Sequence, residues 1–483
     1  MAQTSVVYAK NVITFGNSTR YLILALSTLC LALLTSNTLI LNFTIICMSE
    51  DEAMTNSSQL SLQKTYRFSQ FERGLLFSAT AYGMLAGTYP VIYFTALLGV
   101  RNMFTLFGTI SALSTVLLPL CASFGFYFLF MARFIEGFAM ASAYPVVGFI
   151  TSQWSSLKHS GMYISLMSCH LQLGQIFTMP ISGALCVSCL GWPAAYYLHG
   201  ILTLASFIIF FIFFRDSPRL HRNVSAKELS KIELGKAVMF GKRFPSVPYK
   251  AIVGTLSIWG VWIASIGGAF GFQIFFQYGP FYLNKVLHFE VENTGFATAL
   301  PHLLSCIVKV CSGPFSDRAS CVSETTRVKL FTTVSQGVMA ACFVFLALVP
   351  PQLSFLGQVA YTAAIAFSGM NCVGVFKSAQ LVARQHAHFV MAILSMINCM
   401  VIIVLPLFVS LLAPNNEHSQ WAMIFCFICA VVIACNGFFL IVGKGDPAPW
   451  TTAEISKIYS VTIPDQLNDD CSHGDVSSSR DHD

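Results

Sequence analysis

Phe389–Leu412 reads FVMAILSMINCMVIIVLPLFVSLL, twenty-four residues without one Asp, Glu, Lys or Arg. A helix needs roughly 20 apolar residues to cross the hydrocarbon core of a bilayer, so this run reads as a membrane span. Eleven further runs read the same way: Tyr21–Met48, Gly74–Leu98, Met103–Ser123, Phe126–Ile150, Gly161–Ser188, Ala194–Phe214, Ile252–Phe276, Thr294–Ser316, Leu330–Val349, Phe355–Phe376 and Trp421–Val442. The expected fold is an all-α membrane protein with twelve transmembrane helices in two six-helix bundles.

The whole chain supports that reading. Of its 483 residues 55% are hydrophobic and 10% charged, with a mean hydropathy of +0.68. Soluble domains carry about 25% charged residues, and a water-soluble fold could not cover this much apolar surface. A soluble enzyme is thereby excluded. The formal charge of +6 is no nucleic-acid footprint, because the basic residues fall between apolar runs and form no continuous patch. Most of the 16 cysteines lie inside apolar runs, where Cys packs as a small hydrophobe. Cys186 and Cys189 have the spacing of a redox or metal pair, but no second ligand pair stands near them; packing, or one lumenal disulfide, is expected. The first apolar run is longer than the core of a cleaved signal peptide.

The polar gap after the sixth span sets the topology. Arg215 to Lys250 holds nine basic residues against Asp216, Glu228 and Glu233, a net +6. Basic loops stay in the cytoplasm. The expected organisation is a cytoplasmic N-terminus (1–20), an N-terminal bundle (21–214), a basic cytoplasmic loop (215–250), a C-terminal bundle (251–443) and a polar, disordered cytoplasmic tail (444–483). On this topology Asn56, in Asn56-Ser57-Ser58, lies outside and is open to glycosylation.

Two six-span halves joined by a basic loop is the layout of the major facilitator superfamily, whose substrate site lies near the midplane between the halves. Gly313-Pro314-Phe315-Ser316-Asp317-Arg318 resembles that superfamily's G-x-x-x-D-R turn, and the resemblance implies gating roles for Gly313, Asp317 and Arg318. The matching turn around Gly99-Val100-Arg101 lacks the acid. Further stretches resemble the anion:cation symporter family of sialin, vesicular glutamate transporters and type I phosphate transporters. They are Arg133-Phe134-Ile135-Glu136-Gly137 followed by Tyr144-Pro145; Gln172-Leu173-Gly174 with Met179-Pro180-Ile181-Ser182-Gly183; Gly191-Trp192; Phe214-Arg215-Asp216-Ser217-Pro218; Leu300-Pro301-His302-Leu303; and Pro447-Ala448-Pro449-Trp450. The similarity runs from about Leu41 to Trp450. It breaks where the family carries charge: Ile40, Phe77, Met140 and Gly148 stand at charged or histidine positions, and no arginine stands near Gly268.

Ionisable groups inside a membrane are costly and need a reason. Arg133 and Glu136 are one helical turn apart and share a face. They read either as an anion-binding arginine with a proton-coupling carboxylate, or as a permanent ion pair. Lys309 is the second intramembrane cation; it replaces the charge lost at Ile40 or snorkels to the surface. His302 reads as a proton-coupling group or a structural histidine. Asn42, Gln277, Tyr278 and Tyr282 are candidate substrate contacts, with Tyr278 and Tyr282 on one face of the seventh span. Gly83-x-x-x-Gly87 and Gly267-x-x-x-Gly271 read as close-packing sites. No metal-ligand cluster or nucleophile–base motif stands at a membrane face, so neither metal nor cofactor is expected.

The expected function is secondary active transport of a small organic or inorganic anion by alternating access, with H+ or Na+ as the ion to be coupled. The alternative is a transporter-like sensor or scaffold that moves no solute. The partners are the anion, the coupling ion and the lipid bilayer; the residues do not choose between plasma membrane and lysosomal or vesicular membrane.

Overall fold

The computed structural model describes residues 17–48, 68–156, 160–234, 248–318 and 322–451. Asn56 lies outside them. All regular structure among the described residues is helical, as a bilayer requires, since a helix pairs its backbone polar groups within itself. In chain order the helices are α1 (Thr19–Cys47), α2 (Gln70–Phe124), α3 (Phe126–Met140), α4 (Ala143–Trp154), α5 (Ser160–Ser168), α6 (His170–Val187), α7 (Pro193–Phe213) and α8 (Ala226–Glu233). There follow α9 (Tyr249–Val253), α10 (Leu256–Lys285), α11 (Val291–Arg318), α12 (Glu324–Leu348), α13 (Ser354–Ser368), α14 (Val375–Ala383), α15 (Ala387–Leu412) and α16 (His418–Val442).

Ten helical stretches among the described residues are long and apolar enough to cross a membrane. One of them, α2, has 55 residues. At 1.5 Å per residue it would reach about 80 Å, far beyond a core of about 30 Å. The chain turns back at Gly99, whose φ of 76° is a left-handed conformation that glycine adopts without penalty. α2 therefore makes two crossings, and α5 with α6 makes one more. The helices lie over each of the twelve expected spans.

The two largest apolar clusters among the described residues mark the two halves. One gathers residues of α1 to α5 and α7, including Phe104, Phe107, Trp154 and Phe207; the other gathers α10, α12, α13, α15 and α16 around Phe275, Phe343, Tyr361 and Trp421, joined by Ile45, Ile46 and Phe77 of the first half. Close helix approach depends on glycine in the first half. A Cβ on Gly137 would sit 1.9 Å from the Thr80 carbonyl oxygen, and one on Gly83 2.0 Å from that of Phe134. Gly267 and Gly271 likewise meet Cys435 and Met339. Cys47 at the end of α1 is disulfide-bonded to Cys186 at the end of α6, Cα atoms 6.1 Å apart. Cys189 is free and exposed, so the Cys-x-x-Cys spacing is not itself a pair.

The opposite end, where Trp154 lies, differs from expectation in two places. Residues 215–234 form no loose loop but a latch on the first half. Asp216 accepts from the Arg101 backbone N–H at 2.8 Å, and thus supplies from a distance the acid that the Gly99 turn lacks. Glu228 accepts from the Thr19 and Arg20 backbone N–H groups at 3.3 and 2.9 Å, satisfying amides at the start of α1 that have no helical partner. The Trp154 indole donates to the Arg215 carbonyl at 3.2 Å. Residues 444–451, expected to be disordered, strap onto the second half: the Lys444 carbonyl accepts from Ser378, Ala448 N–H donates to Val382, and the Trp450 indole donates to Thr255.

His221 sits inside the latch, buried edge-on to Trp154 and Phe213. Its Nε2 lies 3.1 Å from the Phe213 carbonyl and its Nδ1 accepts from the Asn223 N–H. Both nitrogens are used as in a neutral ring, and burial depresses the pKa below the ordinary 6.5.

Two outcomes follow from this packing. Gly137→Val lowers unfolding stability in detergent by about 3 kcal/mol or more through overpacking against backbone, whereas Gly148→Ala, with no atom within 4 Å of its Cβ, leaves it unchanged. Because the folded pKa of His221 is depressed, the docked latch is at full strength above about pH 6.5 and weakens as pH falls below that value. Limited proteolysis within 215–234 therefore rises between pH 7 and pH 5, and His221→Gln, which cannot protonate there, removes the pH dependence.

Candidate functional site

The two halves meet along a seam in which α6 packs against α11 and the first stretch of α2 against α15. Backbone contact is close: a Cβ on Gly295 would lie 2.7 Å from the Met179 carbonyl, and one on Gly74 3.1 Å from that of Pro406. Toward the Cys47 end Ser78 donates to the Ile403 carbonyl at 3.1 Å and Gln70 to that of Ala413 at 3.2 Å. Phe77 meets Tyr278 edge-on, ring centroids 4.8 Å apart.

Midway, the seam turns polar. Gln172, Gln175, Thr178 and Ser182 of α6 are buried, as are His302, Ser305 and Lys309 of α11. The latter fall at i, i+3 and i+7, on one helical face. Gln175 donates to the Phe276 carbonyl at 3.1 Å, which leaves its amide oxygen without a partner. Both ring nitrogens of His302 are likewise unpartnered, its ring edge-on to Phe272 and Phe276. Gln277 is buried with neither amide atom bonded; Gln273, one turn earlier, donates to Asn398 at 2.9 Å.

The intramembrane charges fall in two different settings. Arg133 and Glu136 are fully buried in the first half and paired at 2.8 Å. Arg133 also donates to the Thr38 carbonyl at 2.7 Å, and Glu136 accepts from Thr115 at 3.0 Å. The buried Arg133 Nε has no partner. Asn42 lies buried on α1, one turn beyond Thr38. Lys309 does not snorkel. It is 8% exposed, and its ammonium crosses the seam to donate to the Ser168 carbonyl at 3.1 Å. No carboxylate pairs with it in the ion pairs among the described residues.

Other expected contacts land elsewhere. Tyr282 is part of an aromatic cluster with Trp421 and Phe425, at 5.3 and 5.1 Å, and Tyr278 packs on Trp421 as well as Phe77. They share a face as the spacing required, and that face meets Trp421 and Phe425 of α16. Gly313, Asp317 and Arg318 lie on the last turns of α11, where Arg318 is exposed. Of the seam glutamines Gln172 was visible only as a motif letter and Gln175 not at all, since nothing in the spacing showed which neighbour they face.

A helical protein with two cores, membrane-length helices and a buried polar seam between its halves has the build of a membrane carrier. The chain belongs to the Major Facilitator Superfamily, whose family profile matches residues 24–406. Sodium-dependent phosphate transport protein 1 of Homo sapiens is 25% identical over 87% of this chain and 92% of its own length. Sialin of Ovis aries is 24% identical over 81% and 79%, and the probable small intestine urate exporter of Mus musculus 23% over 83% and 82%. Sialin and a phosphate transporter are among the kinds of protein that the sequence motifs resemble. Among solved structures a D-xylose–proton symporter superposes with a TM-score of 0.64 at 15% identity, covering 88% of this chain and 98% of that one. An inward-facing bacterial homologue of the human lysosomal transporter Spinster gives 0.64 at 14%, covering 88% and 96%. The protein is a multi-pass membrane protein and a secondary transporter of the alternating-access kind, not an enzyme.

The buried pair gives a direct test. Breaking a buried ion pair by removing one partner costs about 3–5 kcal/mol, while replacing both by apolar residues is close to neutral. Arg133→Met and Glu136→Met each destabilise by that amount, and the double variant R133M/E136M recovers most of it, read as thermal unfolding in detergent.

Proposed function

We propose that this transporter carries a small anion and that Lys309 meets the anion's charge. The observation that carries the reading is the contrast between the two buried cations: Arg133 is neutralised by Glu136, whereas Lys309 lies between the halves with a carbonyl oxygen as its bonded partner. A carbonyl accepts a hydrogen bond but cancels no charge. An anion entering the seam would neutralise the ammonium where a cation is most costly to leave bare. It would also take over a bond that now joins one half to the other, which links binding to rocking of the halves.

Around Lys309 the seam offers neutral amides and hydroxyls, suited to oxyanions, and His302 is the group placed to take a coupling proton. The printed names of the relatives, a phosphate transporter, sialin and a urate exporter, agree with an anionic solute. The basic latch on the Trp154 end, read with the preference of Lys and Arg for the cytoplasmic face, supports a cytosolic position for that end. Arg133 and Glu136 then brace the first half, with Asn42 and Gln277 as neutral contacts along the path and Gly313, Asp317 and Arg318 at the cytosolic gate.

The test is counterflow in proteoliposomes with a panel of phosphate, mono- and dicarboxylates and urate, under imposed pH and Na+ gradients. Lys309→Met loses roughly ten- to hundredfold of exchange, the worth of one charge-assisted hydrogen bond, while R133M/E136M keeps exchange. Wild-type exchange in Lys309→Met, or loss confined to R133M/E136M, returns the anion to Arg133.

A further inference from the structure

The latch is pinned at two points to the ends of membrane-spanning helices. The His221 Nε2 lies 3.1 Å from the carbonyl of Phe213, the last residue of α7, and the residue before Phe213, the exposed Ile212, is of the kind that faces lipid. Glu228 holds the amides of Thr19 and Arg20, directly before the exposed Tyr21 and Leu22. Tyrosine is enriched where hydrocarbon meets the headgroups. With both anchors at span ends, the latch lies at that same depth.

Its outer surface combines grease and uncancelled charge. α8 buries Glu228 and Ile232, four residues apart and therefore on one face. Beside that face runs an exposed one, Lys227, Lys231 and Leu234, at i, i+4 and i+7. Leu234 is 78% exposed. The Arg219–Glu233 ion pair draws the two ends of the latch together and leaves Leu220, 73% exposed, and Leu234 each one residue from the same pair. The acids are all engaged: Asp216 and Glu228 serve backbone amides, and Glu233 serves Arg219. The exposed Arg222, Lys227 and Lys231 have no acid partner in the ion pairs among the described residues. Bare leucines beside free cations at headgroup depth form the pattern of an interfacial segment, whose apolar side chains enter the boundary while its charges attract anionic lipid.

We infer that this face of the latch is a docking surface for anionic phospholipid of the adjoining leaflet. Leu220 and Leu234 insert at the level of the first acyl carbons, and Arg222, Lys227 and Lys231 meet the phosphate and carboxylate groups above them. The leaflet and the Asp216 and Glu228 carboxylates then hold one segment from two sides, so the charge of the lipid sets how firmly the latch stays on α1. The inference needs the chain to cross a bilayer; it does not need the chain to carry a solute.

The experiment places the photoreactive residue p-benzoylphenylalanine at position 220 of the full-length protein in nanodiscs of phosphatidylcholine, with or without phosphatidylserine. Irradiation bonds the residue to a C–H group within reach, and mass spectrometry of the peptide identifies the captured molecule. The same label at position 201, where the exposed Ile201 of α7 lies within the span, captures lipid in both compositions. Phosphatidylserine raises phospholipid capture at position 220 at least fivefold, about the worth of one basic residue at an anionic surface, and added salt lowers it again. The variant R222Q/K227Q/K231Q loses the rise, while its unfolding in detergent and its capture at position 201 stay unchanged. Equal capture at 220 in the two compositions, or a full rise in the triple variant, overturns the inference. So does no lipid capture at 220 while position 201 labels, a result that would assign the leucines to a protein partner instead.

Discussion

A backbone amide in hydrocarbon has nowhere to turn except to its own helix. Almost everything in this molecule follows from that constraint. It makes every crossing segment helical, and it moves the problem of unsatisfied amides and carbonyls to the helix ends. There the chain solves it with side chains: Ser69 caps α2 with Glu72 in a reciprocal pair, Ser323 caps α12, and the Asp216 and Glu228 carboxylates serve the helices that begin at Arg101 and Thr19. The intramembrane charges are answered in two places, Arg133 and Glu136 by each other within one half and Lys309 by a carbonyl across the seam between the halves.

The division of labour between these two polar regions is electrostatic. A pair that cancels itself and fills both carboxylate oxygens is rigid and inexpensive to carry through a conformational cycle. A lone ammonium held by a carbonyl is neither. It is stable only while one half stays against the other, or while something anionic takes the carbonyl's place. Ile40 and Met140 carry no charge in the first half, and the unpaired cation of the seam, Lys309, stands on the second.

How much of this was legible beforehand depended on range. Span positions were readable because length and apolarity are local properties; Phe389–Leu412 needs no partner to be recognised. The Arg133–Glu136 pairing was within reach because three residues separate them. Long-range matches were not. Cys47 finds Cys186 across 139 residues and ignores the nearer Cys189, and the acid for the Gly99 turn arrives from Asp216. Lys309 could not be placed because snorkelling and crossing the seam need the same side chain and differ only in which helix stands opposite. Tyr278 and Tyr282 were put on one face of α10, but their spacing could not show that Trp421 and Phe425 stand opposite them.

Asp216 and Glu228 are made after the last helix of the half whose ends they cap. A ribosome must pass both before the amides of Thr19, Arg20 and Arg101 receive their acceptors, so the first bundle is sealed from behind, by residues that emerge only when all of its helices have already left the exit tunnel. A nascent chain halted at Phe213 would own every crossing segment of that bundle and none of its clasp. Assembly of the first half is in this sense a checkpoint written into the order of translation.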